Sequence, residues 1–184
     1  MKILLIDNLS IHVPKIVACL FGHEIHTVRY DNIPSTVEEF DAIILSGGGI
    51  LGAQKNRTTA FADEIKLIQT TNKPLLGICL GFQLLTLAYD GSLIQGEKNK
   101  GWEEVEIKQP FLIPKGNYSF FQVHRWKVQD SGTLEIIAEN EEHIQVLQHS
   151  SKPHYGTIFH PELSEQEGQD LLQAFLEQAK KYGA

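Results

Sequence analysis

The sequence has few cysteines and few basic residues. Its 184 residues include only Cys19 and Cys79, too few for a disulfide framework in a chain of this length. There are 16 lysines and arginines against 23 aspartates and glutamates, which gives a net charge of −7. Because no excess of positive charge is available to neutralise phosphates, nucleic acids and anionic membranes are poor candidates for the main partner.

Long apolar runs are also missing. No stretch of about 18 apolar residues is present, as a membrane-spanning helix would need. The apolar run within residues 1–6 meets Asp7, so it is too short for the centre of a signal peptide. These absences predict a cytoplasmic protein that has no membrane partner.

What remains is the composition of an ordinary globular domain. Hydrophobic residues make up 42% of the chain and charged residues 21%, which argues against disorder. Domains usually run to about 100–200 residues. The length, and the lack of any repeat or linker, therefore predict a single domain over residues 1–184.

Two textures of secondary structure divide the chain. The first half alternates strands with helices, predicted as strands at 3–7, 23–30, 41–45 and 74–78 and helices at 14–21 and 59–70. Such alternation implies right-handed crossovers and helices on both faces of a mainly parallel sheet. We therefore predict an α/β fold, a three-layer, doubly wound sheet of the flavodoxin-like type.

The C-terminal half is expected to add antiparallel strands to that sheet. Successive short strands are predicted at 103–108, 119–124, 134–138, 144–149 and 155–159. A final helix follows, and the spacing of Ser164 and Glu167 predicts a capping box at its start.

The sharpest local signal is Gly77-Ile78-Cys79-Leu80-Gly81, which lies between a predicted strand and an apolar stretch. Its spacing is that of a nucleophile elbow with cysteine in place of serine. A tight strand-to-helix turn requires residues without a Cβ two positions on either side of the nucleophile. The helix that follows would favour a thiolate at Cys79, and the N–H of Leu80 would point toward an oxyanion. The alternative is a structural cysteine that has glycines nearby by chance.

A thiolate nucleophile needs a base, and the base needs an orienting group. The segment Phe159-His160-Pro161-Glu162 offers both. With His160 at a strand end, the carboxylate two positions on can project to the same side and accept the Nδ1–H bond. The alternative is an exposed turn in which both side chains are solvated.

A glycine-rich segment, Ser46-Gly47-Gly48-Gly49, follows another predicted strand. Glycines at the carboxyl end of a strand let backbone N–H groups approach a ligand or an oxyanion. Gly47, Gly49 and Gly52 also fit the dinucleotide fingerprint G-x-G-x-x-G. That fingerprint needs an acidic residue about 20 positions on, and the region around residues 71–73 has none.

Other polar residues give weaker signals. No metal site is expected, because ligand spacing is absent from five histidines: His23, His26, His143, His149 and His154. His124 is expected to be a packed or surface residue. Lys98, Lys100 and Lys108 form a thinly basic stretch, either a solvated face or a docking surface.

Taken in order, these segments resemble the class I (triad) glutamine amidotransferases. The resemblance rests on residues 46–48, 77–83 and 155–162 and extends from residues 6–8 to the final helix. It implies that Cys79 is the nucleophile, His160 the base and Glu162 its orienter. It further implies that Gly48 and Leu80 supply the oxyanion-hole amides and that Gly49 and Gln83 hold the substrate, with no cofactor.

The activity implied is hydrolysis of L-glutamine to glutamate and ammonia through a cysteine thioester. No P-loop is present, so ATP-dependent acceptor chemistry is expected on a separate synthetase subunit, most similar to that of GMP synthetase. Four positions depart from the family pattern without removing a catalytic group: Gly49, Phe82, Trp126 and Ile158. The alternatives are a γ-glutamyl hydrolase and a regulatory module of the same fold without turnover.

Overall fold

The computed structural model of the protein describes residues 1–48 and 57–182. Its strands are β1 (Lys2–Asn8), β2 (Glu24–Arg29), β3 (Ala42–Gly48), β4 (Leu75–Ile78), β5 (Ser92–Ile107), β6 (Gly116–Asp130), β7 (Glu135–Glu139), β8 (Ile144–Gln148) and β9 (His154–Thr157). Its helices are α1 (Val13–Cys19), α2 (Arg57–Ala60), α3 (Ala62–Thr70), α4 (Leu80–Ala88) and α5 (Glu165–Tyr182), and a 3₁₀ turn covers Pro161–Leu163.

The described strands form one sheet in the order β2-β1-β3-β4-β9-β8-β6-β5, with β7 paired to β8. The neighbours from β2 to β9 run parallel, in the spatial order 2-1-3-4-5 of flavodoxin-like sheets. From β9 onward the pairings are antiparallel. The predicted α/β fold class, with antiparallel strands added by the C-terminal half, is confirmed.

Strand β9 lies between two helical layers. Phe82 of α4 is so close to Gly156 that a Cβ added to that glycine would lie 2.7 Å from the Phe82 ring. On the other face, Tyr155 meets Phe175 of α5 with ring centroids 6.2 Å apart. Successive strand residues point to opposite faces, so this pair of contacts shows the three predicted layers directly.

The two longest strands extend well beyond their predicted bounds. β5 and β6 pair from Ser92 opposite Asp130 to Ile107 opposite Gly116, whereas the sequence predicts strands only at 103–108 and 119–124. The added part of β5 is rich in glycine, lysine and glutamine. Its side chains give little hydrophobic alternation, but backbone pairing in a hairpin does not require it.

The predicted helix at 59–70 is two helices. It breaks at Phe61, whose φ of −122° and ψ of 32° are not helical. Its buried ring packs on Tyr30 with centroids 5.4 Å apart. Burial of the ring therefore overrides the continuous helical pattern of the sequence.

Phe159 should carry a large share of the packing at the end of β9. Its side chain is fully buried and parallel to that of Phe120, with ring centroids 3.9 Å apart. We predict that Phe159→Ala lowers the free energy of unfolding by about 3–5 kcal/mol, because it opens a cavity in the core. Phe21→Ala, at a side chain that is 92% exposed, should change it by less than about 0.5 kcal/mol. Equal effects in urea denaturation would contradict this packing.

Candidate active site

Three adjacent parallel strands end at the same edge of the sheet, and each delivers one part of the site. β3 ends at Gly48, β4 is followed by Cys79, and β9 leads to His160. The pairing of Ile78 with Thr157 sets the register between β4 and β9. Carboxyl ends of parallel strands are where open α/β sheets form their sites.

Cys79 occupies a strained strand-to-helix turn. Its φ of 51° and ψ of −95° lie where L-residues are rare. A Cβ on Gly77 would lie 2.6 Å from the backbone of Gly81, and one on Gly81 would lie 2.6 Å from Leu45. Only glycine fits at both positions, as the elbow spacing requires.

His160 and Glu162 form a buried pair. The Nδ1 atom of His160 lies 2.7 Å from Oε1 of Glu162, and the two side chains are 4% and 0% exposed. Pro161 and Glu162 open the 3₁₀ turn that follows β9, which turns the carboxylate back toward the ring. The hydrogen bond directs Nε2, the other ring nitrogen, away from Glu162.

Ser164 braces this pair, and it corrects the predicted capping box. Its Oγ donates to the carbonyl of His160 at 2.6 Å and accepts from the N–H of Phe121 at 3.0 Å. The hydroxyl is therefore used on the site and not on Glu167. The N–H of His160 also donates to the carbonyl of Phe121 at 2.8 Å, so β6 fixes the backbone of His160 on both sides.

The electrostatics of the site favour a protonated His160 beside a thiolate. Burial by itself lowers the pKa of His160, but the charges of Cys79 and Glu162 outweigh it and raise that pKa to about 10. Nε2 has no hydrogen-bond partner among the described residues, so the sulfur acts on it mainly through charge. An imidazolium held in this way stabilises a nucleophilic sulfur.

A pocket of about 400 Å³ opens onto these groups, and Gly48, Cys79, Leu80, Gln83 and His160 all line it. Leu80 is the first residue of α4 and the buried Gln83 lies one turn later. The Nε2 of Gln83 donates to the carbonyl of Trp126 at 3.3 Å. Five predicted site residues thus share one cavity, and Glu162 stands behind His160. Gly49 lies outside the described residues.

The pocket also contains residues that the sequence did not single out as site residues. His12 precedes α1 and meets the His160 ring edge-on, with centroids 5.6 Å apart. The carbonyl of Val123 accepts from the Cys79 thiol at 3.7 Å. Lys98 joins them in the lining. These positions carry no local motif, and only the pairing of β5 with β6 and the loop before α1 bring them here.

His124 is packed, as expected, yet it also lines the pocket. Its Nε2 lies 2.9 Å from Oε1 of Gln122. Burial, followed by the proximity of His143, lowers the pKa of His124 to about 3. A neutral imidazole therefore faces the site at neutral pH, in contrast to His160.

Comparison with known proteins agrees with this geometry. The family model for glutamine amidotransferase class-I matches residues 4–179. The chain belongs to the class I glutamine amidotransferases. Such a match covers nearly the whole of the described fold, including all three strand ends of the site.

Relatives with similar sequences carry one name, that of a subunit of glutamine-hydrolyzing GMP synthase. The protein of this name from Methanosarcina barkeri is 32% identical, over 99% of this chain and 98% of its own length. Its namesake from Methanocaldococcus jannaschii is 33% identical, over 82% of this chain and 79% of its own length.

Solved structures show the same fold. A candidate GMP synthase subunit from Thermoplasma acidophilum aligns with a TM-score of 0.87 and 23% identity, over 99% of this chain and 95% of that one. A glutamine amidotransferase from Thermotoga maritima aligns with a TM-score of 0.74 and 19% identity, over 100% and 85% of the two chains. At these identities the likeness concerns the architecture alone.

The described residues offer neither a metal site nor a membrane-spanning helix. Among them, no cluster of three or more histidine, cysteine, aspartate or glutamate side chains is arranged to hold a metal ion. No helix in this part of the chain is long and apolar enough to cross a membrane.

We predict that the two cysteines differ sharply in reactivity. Iodoacetamide at pH 7 should alkylate Cys79 faster than Cys19, because a protonated His160 stabilises the Cys79 thiolate whereas burial and Glu162 raise the pKa of Cys19. His160→Gln should slow alkylation of Cys79 by about tenfold and leave Cys19 unchanged. Peptide mass spectrometry measures both rates in one sample, and Cys19→Ala verifies the assignment. Equal rates at the two thiols would contradict the thiolate–imidazolium pair.

Proposed function

We propose that this protein hydrolyses L-glutamine to glutamate and ammonia with a Cys79–His160–Glu162 triad and passes the ammonia to a separate synthetase subunit. The observation that carries the proposal is the position of a strained, elbow-borne Cys79 beside the buried His160–Glu162 pair. Family membership supports the same chemistry. Each proposed step uses a group that already lies in the pocket.

The first half of the reaction forms a thioester. The Cys79 thiolate attacks the side-chain carboxamide carbon of glutamine, and the carbonyl oxygen becomes an oxyanion. His160 then gives its Nε2 proton to the departing nitrogen as the C–N bond breaks, which releases ammonia. Glu162 accepts the Nδ1–H bond, so it holds the ring in place and stabilises its charged form.

The second half releases glutamate. Neutral His160 takes a proton from water, whose oxygen attacks the thioester carbon, and the C–S bond then breaks. The sulfur leaves as a thiolate and His160 is again protonated. The charge state of the resting site, favoured by the raised pKa of His160, is thereby restored.

The proposed roles of the other residues follow from their places in the pocket. Leu80, at the N-terminus of α4, and Gly48, at the end of β3, would supply two N–H groups to the oxyanion. Gln83, together with Gly49, would hold the substrate. A pocket of about 400 Å³ lies within the range of about 300–1,000 Å³ common for small-molecule sites.

A partner that uses the ammonia is proposed from the relatives and from the surface beside the pocket. The relatives are named as one subunit of GMP synthase, and a GMP synthetase-like acceptor is the setting we favour. A groove of about 500 Å³ adjoins the pocket and shares Lys98 with it. Its rim includes Ile11 and Trp102, which are 83% and 48% exposed. Exposed apolar side chains grouped around a mouth are typical of an interface.

We predict that Cys79→Ala abolishes glutaminase activity, because no other described group can form the thioester, while Cys19→Ala leaves it unchanged. Glu162→Gln should lower kcat/KM by about 10³ or more, since the imidazolium loses its orienting carboxylate. Released ammonia and glutamate are measured with glutamine and, in parallel, with a γ-glutamyl peptide. Faster release from the peptide would favour the γ-glutamyl hydrolase. No turnover in any arm, with Cys79 unreactive, would favour a regulatory module.

We predict that Lys100→Glu impairs coupling to the synthetase and leaves the glutaminase activity of the isolated chain unchanged. Lys100 lines the groove beside the pocket but not the pocket itself. Lys108→Glu, just beyond the far end of β5, is the matched charge reversal. Both are assayed for glutamine-dependent product formation with the ATP-dependent synthetase subunit of the same organism. Identical behaviour of the two variants would exclude this face as the docking surface.

A further inference from the structure

Glu64 is a buried acid to which the proposed reaction gives no role. It lies on α3 and is fully buried. Among the described residues it forms no ion pair, and its recorded partner is the amide of Asn8. An ionised carboxylate without a cation in such a place would be costly.

Asn8 connects Glu64 to the end of β3. Its Nδ2 donates to Oε1 of Glu64 at 3.1 Å and to the carbonyl of Ser46 at 3.0 Å. Its backbone N–H donates to Oγ of Ser46 at 2.9 Å, and that hydroxyl donates to the carbonyl of Gly47 at 2.9 Å. One buried chain of hydrogen bonds thus runs from α3 through β1 to the glycines.

The network has two acceptors left over, and one proton would satisfy both. Oδ1 of Asn8 and Oε2 of Glu64 are buried without a partner among the described residues. A carboxylic acid can donate from one oxygen while it accepts at the other. A proton on Oε2 of Glu64 would let it donate to Oδ1 of Asn8, which would complete a two-bond carboxyl–amide pair. Burial, opposed by the bond from Asn8, raises the pKa of Glu64 to about 8.

This network ends at the catalytic pocket. Asn8 pairs with Gly48 across β1 and β3, beyond an irregularity in the register. A Cβ on Gly47 would lie 2.9 Å from Cε1 of His160, so β3 packs directly against the imidazole. A shift of this strand end would move the Gly48 amide relative to the substrate.

We propose that Glu64 carries a proton and, through Asn8, acts as a positioning residue that holds the end of β3 in place for oxyanion stabilisation. The proposal rests on the proposed function for its kinetic consequence. It rests on the buried network alone for the protonation state.

Other charges around Glu64 do not account for its protonation. On α3, Asp63 and Lys66 are exposed. On β1, Asp7 accepts from the N–H of Ser10 at 3.1 Å. Neither β4 nor α4 carries an ionisable side chain apart from the cysteine that precedes α4. Burial and the bond from Asn8 are the two causes of the shift in pKa.

The kinetic test compares Glu64→Gln with Glu64→Ala. Glutamine keeps an acceptor for Nδ2 of Asn8 and a donor for its Oδ1 at every pH, so kcat should stay within about twofold of wild type below pH 7. Alanine should lower kcat by about tenfold or more and change KM little, because an oxyanion donor acts in the transition state. Above pH 8 wild type should lose kcat relative to Glu64→Gln, as Glu64 ionises. Asp63→Asn removes a charge from the exposed side of α3 and should behave as wild type.

The stability test needs no turnover. Between pH 4.5 and 8 the folded protein retains a proton that the unfolded chain releases, so raising the pH favours unfolding. Relative to Glu64→Gln, the unfolding equilibrium constant of wild type should therefore rise by up to about tenfold per pH unit across this window and level off above it. Asp63→Asn should show no such trend relative to wild type.

The possible outcomes are distinguishable. A pH-independent ratio between wild type and Glu64→Gln in denaturant titrations would overturn a protonated Glu64. Equal losses of kcat in Glu64→Gln and Glu64→Ala would overturn its positioning role. If wild type hydrolyses no glutamine while Cys79 is intact, the proposed function fails, and the unfolding arm still decides the protonation state.

Discussion

The parallel hydrogen bonding of β4 with β9 is the constraint on which the rest of the site depends. It joins segments that lie about 80 residues apart in the chain, and the N–H of Cys79 itself donates to the carbonyl of Thr157 at 2.8 Å. This pairing sets the sulfur and the imidazole at one edge of the sheet. β3, on the other side of β4, brings Gly48 to the same edge. A slip in either register would separate the groups whatever their local geometry.

Rigidity around the site offsets the cost of what it holds. Cys79 has an unfavourable backbone conformation, and the His160–Glu162 pair is almost wholly removed from water. Such features persist only where the surroundings over-determine them. Here the close packing of Gly77 on Gly81 and the two bonds of Ser164 supply the constraint. The same tightness around the reacting groups is what preorganised catalysis needs.

The departures from the family pattern fall beside the reacting groups and not on them. Phe82 is a fully buried residue of α4 that packs on β9, and the carbonyl of Trp126 anchors Gln83. Ile158 is also fully buried. Their contacts belong to the frame around the pocket, so they are compatible with glutamine hydrolysis. They bear on which acceptor the protein serves.

Local motifs and periodicity determined much of this protein before any fold was known. Glycines flanking Cys79 and the spacing of His160 and Glu162 identify chemistry within a few residues, because elbows and strand-end turns are local structures. The alternation of strands and helices fixed the fold class for the same reason. The sequence could not reveal that Ser164 braces His160 and does not cap α5, that His12 and Lys98 enter the pocket, or that Glu64 lies behind the glycines. Those contacts join residues distant in the chain, and only the packing of the sheet against its helices decides them.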